Sequence, residues 1–195
     1  MSALKLFSVN VGMSRQVDWH GKLVRTSIFK SPVLGPVRVV TLNLEGDKQS
    51  DLTVHGGVHK AVYVYPSEHY VFWREEIPDL ELPWGMFGEN FSMEGLLEGA
   101  VNIGDRFRVG SAEFVLTQPR MPCYKLGIRF GRTEIVKRFL QSGRSGFYFS
   151  VLEEGQVTAG DSVERITRDE RGVTVADIVN LYRADKTNQE PLAPG

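Results

Sequence analysis

The order of apolar and polar positions divides the chain into short segments, most of them with strand character. "KLFSVNVG" (5–12) reads as a strand that offers Leu6, Val9 and Val11 to a core. Residues 22–47 are rich in β-branched side chains and are broken by Pro32, Gly35 and Pro36, which predicts a hairpin or two consecutive strands. "KAVYVYP" (60–66) is a short, almost wholly apolar run and reads as a buried strand. The spacing then turns helical in "PSEHYVFWREEI" (66–77). Pro66 suits a first-turn position there, Ser67 a cap, and Tyr70, Phe72 and Trp73 an apolar side. Residues 77–100 are rich in proline and glycine and read as a structured loop. "NIGDRFRVGSAEFVLTQP" (102–119) predicts a hairpin turning at Gly110-Ser111, and "TEIVKRFLQSG" (133–143) a short helix ended by Gly143. Residues 146–168 read as a pair of strands around a glycine-containing turn. Beyond 171, Thr174 and Asp177 form a capping-box pattern, and Val175, Ile178, Val179 and Tyr182 follow at helical spacing over about 174–183. The polar, proline-containing "TNQEPLAPG" that follows predicts a frayed tail. The balance is mostly β with α, an α+β chain built on a closed or nearly closed β-barrel with peripheral helices and a C-terminal helix.

Bulk properties narrow the function classes. The 195 residues suffice for one good-sized core, and 42% apolar with 24% charged residues is ordinary for a soluble globular protein. A net charge of −1 gives no global basic field for nucleic acid or an acidic membrane, and no apolar run is long enough to span a bilayer. The N-terminus lacks a signal-peptide cleavage pattern, and one cysteine cannot form an internal disulfide, so a reducing cytoplasm is the expected compartment.

That cysteine, Cys123, lies in "TQPRMPCYKLGIRFGR" (117–132). A lone cysteine is ordinarily a small buried hydrophobe. Here Pro122 fits the first position of a helix, which would place Cys123 in a first turn. Arg120 and Lys125 would add positive charge, and all three features favour a thiolate. A thiolate in such a place is a nucleophile, a sulfur carrier or a metal ligand. "VHGGVHK" holds His55, Gly56, Gly57, His59 and Lys60: glycines for close backbone approach, and a cation for a phosphate. The plainer reading is a polar turn, and it is no zinc helix, because the glycines oppose a helix and the glutamate is missing. Gly88 and Asn90 in "GMFGENF", and Arg144, Ser145 and Gly146 in "QSGRSGFYF", are further candidate anion-binding loops that also read as plain turns.

Four ordered segments carry a resemblance: "GDKQSDLTVHGGVHKAVYVYPSEHYVFW", "PWGMFGENFSMEGLLE", "IGDRFRVGSAEFVLTQPRMPCYKLGIRFG" and "SGRSGFYFSVLEEGQVTAGD". Over roughly residues 5–170 the chain resembles the MOSC domain family, and within it the YiiM-like proteins. The resemblance implies a MOSC β-barrel domain over 1–170. Residues 171–195 would then be a C-terminal helix and polar tail, standing where YiiM-like chains often continue into three helices. It implies a molybdenum cofactor (molybdopterin) ligated through the metal by Cys123. His55 to Lys60, Gly88, Asn90, Arg120, Arg144, Ser145 and Gly146 would bind the pterin and its phosphate. A thiolate is a soft ligand suited to such a metal. The implied activity is that of a molybdenum-dependent oxidoreductase, reducing N-hydroxylated compounds such as 6-N-hydroxylaminopurine to amines, with His59 or Tyr65 as proton donor. The chain has no dinucleotide fingerprint, so electrons would come from a separate reductase, a flavoprotein or an iron–sulfur protein. The expected state is a monomer or weak dimer. Two alternatives stay open: a sulfur carrier or cofactor-delivery module using a Cys123 persulfide or thiolate, and a transferase or hydrolase pairing Cys123 with His55 or His59.

Overall fold

The structure, a computed structural model, describes residues 4–48 and 56–188. Strands dominate and four α-helices pack around them, an α+β architecture. In chain order the elements are β1 (Lys5–Val11), β2 (Arg15–Trp19), β3 (Lys22–Thr26), β4 (Ser31–Pro32), β5 (Val37–Val40), β6 (Asn43–Leu44), β7 (Val62–Pro66), α1 (His69–Glu76) and β8 (Phe91–Glu94). There follow β9 (Arg106–Val109), β10 (Ala112–Pro119), α2 (Tyr124–Phe130), α3 (Ile135–Ser142), β11 (Phe147–Glu153), β12 (Gly155–Val157), β13 (Val163–Thr167) and α4 (Val175–Asn188).

Eight strands form one mixed sheet in the order β13-β9-β10-β11-β7-β8-β1-β4, with β7 and β8 parallel. Strands β12, β5 and β6 form a second sheet. Of the closed or nearly closed barrel expected, the structure gives the second form, not a closed one. The sheet curls until β1 meets the residues before β13, and there a single bridge, Lys5 to Ser162, joins the edges instead of a ladder. Three backbone bonds flank the bridge: Leu6 N–H to Asp161 (2.9 Å), Gly160 N–H to Leu6 (2.7 Å) and Val163 N–H to Leu4 (3.1 Å). The reason is that β1 pairs with β8 and, at Asn10 and Val11, also with β4, leaving only its first residues for closure.

Strand β7 shows how the core is organised. Its side chains alternate between faces, and both faces are covered. Val62 and Val64 enter a core with Leu6, Val9, Phe91, Phe107, Phe114, Phe147 and Phe149. Tyr63 and Tyr65 enter a second core with Trp73, Phe87, Leu126, Phe130 and Phe139, between the sheet and α1–α3. This double burial explains the near absence of polar residues in 61–66.

Several boundaries differ from the sequence expectations. The loop expected over 77–100 contains β8, which runs beside β7 in the main sheet. Residues 146–168 give three strands that pair not with each other but with β10, β7, β5 and β9. Pro66 closes β7 rather than opening α1, whose N-cap is Glu68 with no side-chain cap bond. The hairpin β2–β3 was not anticipated. It turns at His20 and Gly21, whose φ values of 54° and 76° suit a tight hairpin turn. The capping box at Thr174 is present as expected: the Asp177 amide donates to Thr174 Oγ1 (3.1 Å), and the Thr174 amide to Asp177 Oδ2 (2.8 Å). Among the described residues no helix is long and apolar enough to cross a membrane.

Candidate active site

A cleft of about 110 Å³, or about 660 Å³ with the space opening to solvent, forms where three pieces of chain converge. The residues after β3 supply Thr26, Ser27, Ile28 and Lys30. Strands β7 and β11 supply Tyr63 and Tyr148. The segment after β10 supplies Arg120, Met121, Cys123 and Lys125, while Phe87, Gly88 and Lys48 complete the wall.

Tyr63 and Tyr148 are cross-strand partners, so the β7–β11 register sets them side by side with ring centroids 5.3 Å apart. Tyr63 donates its hydroxyl proton to the Ser145 carbonyl (2.8 Å). Burial raises both phenols above their ordinary range, and Arg120 pulls the other way. Both are therefore protonated at neutral pH.

Arg120 follows the end of β10 and is only 5% exposed. Its amide donates to Gly146 (3.2 Å), and its guanidinium lies 5.3 Å from the Tyr63 ring and 5.1 Å from that of Phe139. Its Nη1 is buried with no hydrogen-bond partner. Burial opposes the charge, interactions with Tyr63, Tyr148 and Cys123 favour it, and the net direction is above the ordinary value. A buried cation with an unmet donor is costly unless something anionic meets it. The guanidinium also hydrogen-bonds Tyr148, so the Nη1 donor is the part of it left without an acceptor beside the cleft.

Cys123 is half-buried and is the N-cap of α2. This corrects the expectation that Pro122 opens the helix with Cys123 in its first turn: Pro122 precedes the cap. The electrostatic neighbours expected of the thiol are nonetheless present, since Arg120 interacts with it and Lys125 shares the cleft.

Lys30 also lines the cleft. Its ammonium donates to both oxygens of Asp47, at 2.5 and 2.6 Å. Burial lowers its pKa against the pull of Asp47. Asp47 also accepts from the Gly12 amide (2.9 Å) and from Asn90 Nδ2 (2.9 Å).

The other sequence-predicted residues divide clearly. Gly88 lines the cleft with φ 82°, and a Cβ there would lie 2.8 Å from Ile28 Cγ1. Asn90 is occupied structurally: its oxygen accepts from the Tyr63 amide (3.1 Å), and its nitrogen donates to Asn10 (3.2 Å) and Asp47. Ser145 and Gly146 lie beneath the cleft as supports. The Gly146 amide, expected to face a phosphate, donates instead to Glu98 (2.7 Å), which also holds His69 (2.8 Å). Arg144 stacks over Phe72 at 3.7 Å, away from the cleft lining. Gly57 caps a 3₁₀ turn over Val58–Lys60 that carries His59 and Lys60. His59 is exposed there, its carbonyl accepting from Thr117 Oγ1 (2.7 Å), and neither side chain lines the cleft. Gly56 precedes that turn, and His55 lies outside the described residues. Tyr65 is fully buried, its hydroxyl accepting from Trp73 Nε1 (2.8 Å), so it faces the aromatic core.

Sequence reasoning missed Lys30, Asp47, Tyr63 and Tyr148. The tyrosines carried a signal, since a polar tip in an otherwise apolar buried strand needs a partner. Lys30 and Asp47 are 17 residues apart at no recognisable spacing.

Residues 51–164 match the family model of the MOSC domain. An uncharacterised protein of Bacillus subtilis, YflK, is 44% identical over 92% of this chain and 81% of its own length. The Escherichia coli protein YiiM is 41% identical over 73% of this chain and 65% of its own. A protein of Gibberella moniliformis named as a reductase is 31% identical over 96% of this chain, which spans 34% of it. The crystal structure of YiiM from Geobacillus stearothermophilus superposes with a TM-score of 0.77 at 33% identity, covering 94% of this chain and 85% of that one. With that match over more than half the chain, and a relative of this identity aligned over most of both lengths, the chain belongs to the MOSC domain family.

Proposed function

We propose that the cleft holds a molybdenum cofactor through Cys123 and reduces N-hydroxylated compounds, such as 6-N-hydroxylaminopurine, to amines. The observation that carries this reading is the buried Arg120 with its unpartnered Nη1 in the same cleft as the chain's one thiol. A soft donor beside a cation with one unmet N–H donor fits a group that pairs a soft metal with an anionic tail. The similarity to a protein named as a reductase agrees with redox chemistry.

In this reading Cys123 Sγ is the protein's ligand to the metal. Arg120 Nη1 meets the anionic part of the group, with Lys48 and Lys125 adding charge at the wall. When bound, the cofactor would supply two-electron chemistry, with electrons delivered by a separate flavoprotein or iron–sulfur reductase. The balance is N–OH plus two electrons and two protons, giving N–H and water.

The proton-donor role expected of His59 or Tyr65 is assigned instead to Tyr148, a residue of the cleft lining. Burial keeps that phenol protonated, and Arg120 stabilises the phenolate left after transfer to the departing hydroxyl oxygen. Tyr63, tied to Ser145, orients the Tyr148 ring rather than titrating. Phe87 and Met121 keep water from the reacting region.

Elemental analysis of chain produced in a cofactor-competent host tests the reading. Near-stoichiometric molybdenum in the wild type and none in Cys123→Ala is expected. Reduction of 6-N-hydroxylaminopurine by reduced viologen should follow the metal, and Tyr148→Phe should keep the metal while losing about 10²-fold in kcat. A metal-free wild type carrying one added sulfur on the Cys123 peptide would replace this reading with a sulfur carrier.

A further inference from the structure

A second, larger space lies on the other side of the Cys123 segment. It is a groove of about 890 Å³ between α3 and α4. Met121 belongs to the walls of both the groove and the cleft, and Pro122, next to Cys123, belongs to the groove. The two spaces are thus separated by the residues leading into the thiol.

Their chemistry differs. The charged groups of the cleft, Lys30, Lys48, Arg120 and Lys125, are all cationic, and with Lys30 held by Asp47 the other three suit an anion. The groove also carries two cations, Lys137 and Arg183, but it has an apolar wall that includes Val136 and Leu140, with the carboxamides of Gln141 and Asn180 and the Tyr182 ring around it. Tyr182 is half exposed. Asn180 Oδ1 already accepts from Arg183 Nη1 (3.2 Å), which leaves its Nδ2 donor and the Gln141 amide; with the apolar wall and the aromatic face these match a flat, uncharged heterocycle with hydrogen-bonding edges. The volume lies in the ordinary range of small-molecule sites, about 300–1,000 Å³. Arg183 adds a guanidinium on the same groove, and such a plane stacks on heterocycles.

We propose that this α3–α4 groove binds the heterocyclic body of the N-hydroxylated substrate and presents its N–OH end past Met121 to the Cys123 side. The proposal rests on the reductase reading above but concerns binding alone, so the two can fail separately.

Methyl NMR on the chain produced without metal is the test, with adenine, the product of 6-N-hydroxylaminopurine reduction, as probe. Adenine should shift the methyl signals of Val136, Leu140 and Met121. The double variant Gln141→Leu with Asn180→Leu should weaken its binding about tenfold, the loss of two neutral hydrogen bonds. Both side chains are exposed, and an unchanged methyl spectrum without ligand checks the fold of the variant. Shifts confined to cleft methyls such as Ile28, or no shifts at all, overturn the proposal even if viologen-driven reduction proceeds. Groove signals that move with protein concentration but not with adenine also overturn it, by assigning the groove to a second copy of the chain. Groove binding without any reduction would uphold this inference and sink the reductase reading.

Discussion

Removing Asp47 isolates the electrostatic support beneath the cleft. Lys30 and Asp47 are a buried pair, their side chains 9% and 2% exposed. Asp47→Ala strands the ammonium in a site where burial already lowers its pKa from an ordinary 10.5. Breaking such a pair from one side costs about 3–5 kcal/mol. A ceiling on the electrostatic part comes from deprotonation, because the stranded lysine can always release its proton. At pH 7 that costs about 5 kcal/mol, at 1.36 kcal/mol per pH unit below the ordinary value. The Gly12 amide and Asn90 Nδ2 lose their acceptor as well.

The sign of the pH dependence follows from the lowered value. Between the folded and unfolded pKa values the folded state binds fewer protons, so stability rises with pH. The deficit of the variant should therefore shrink by up to about 2.7 kcal/mol from pH 7 to pH 9, two units of the same slope. Urea melts of wild type and Asp47→Ala at both pH values measure this. The double variant Lys30→Met with Asp47→Leu should recover most of the loss at pH 7, because no charge is then stranded. A deficit under about 1 kcal/mol that ignores pH would refute a buried, mutually dependent pair.

Two further substitutions separate support from chemistry. Tyr65→Phe removes the acceptor of the buried Trp73 N–H, and a thermal melt should register about 1–3 kcal/mol of lost stability with molybdenum content unchanged. Loss of metal at normal stability would return Tyr65 to the site. Gly88→Ala forces a Cβ toward Ile28 at a φ of 82° and should cost about 1–3 kcal/mol while narrowing the cleft, read as slower alkylation of Cys123. Unchanged stability would mean that the turn relaxes freely.

Some of the molecule was fixed by local rules that a sequence exposes. The apolar run of β7, the Gly110-Ser111 hairpin, the capping box at Thr174 and the left-handed Gly143 ending α3 each depend on a few neighbouring residues, so pattern sufficed. That Cys123 and Arg120 share one cleft was legible for a similar reason: an isolated thiol and a cation three residues away are close in the chain. Strand β8 was hidden because its partners, β1 and β7, are remote in sequence and a surrounding glycine-rich stretch masks its period. Whether the barrel closes fully or only nearly depends on which neighbours β1 accepts, and no pattern within β1 records that.

The cleft was decided at the tertiary level. Tyr63 and Tyr148 meet through the register of β7 on β11, and Lys30 finds Asp47 only after the loops around β4–β6 fold back. The same packing withdrew candidates. Asn90 and Gly146 have the right chemistry for an anion, yet Tyr63, Asn10, Asp47 and Glu98 take their hydrogen bonds first. The sequence by itself determined which side chains were chemically able to serve: the thiol, the guanidinium, the lysines and the phenols. Which of them share one space, and which are spent holding it open, was decided by long-range pairing and burial, because a hydrogen-bonding group has few partners to give and the folded neighbours claim them first.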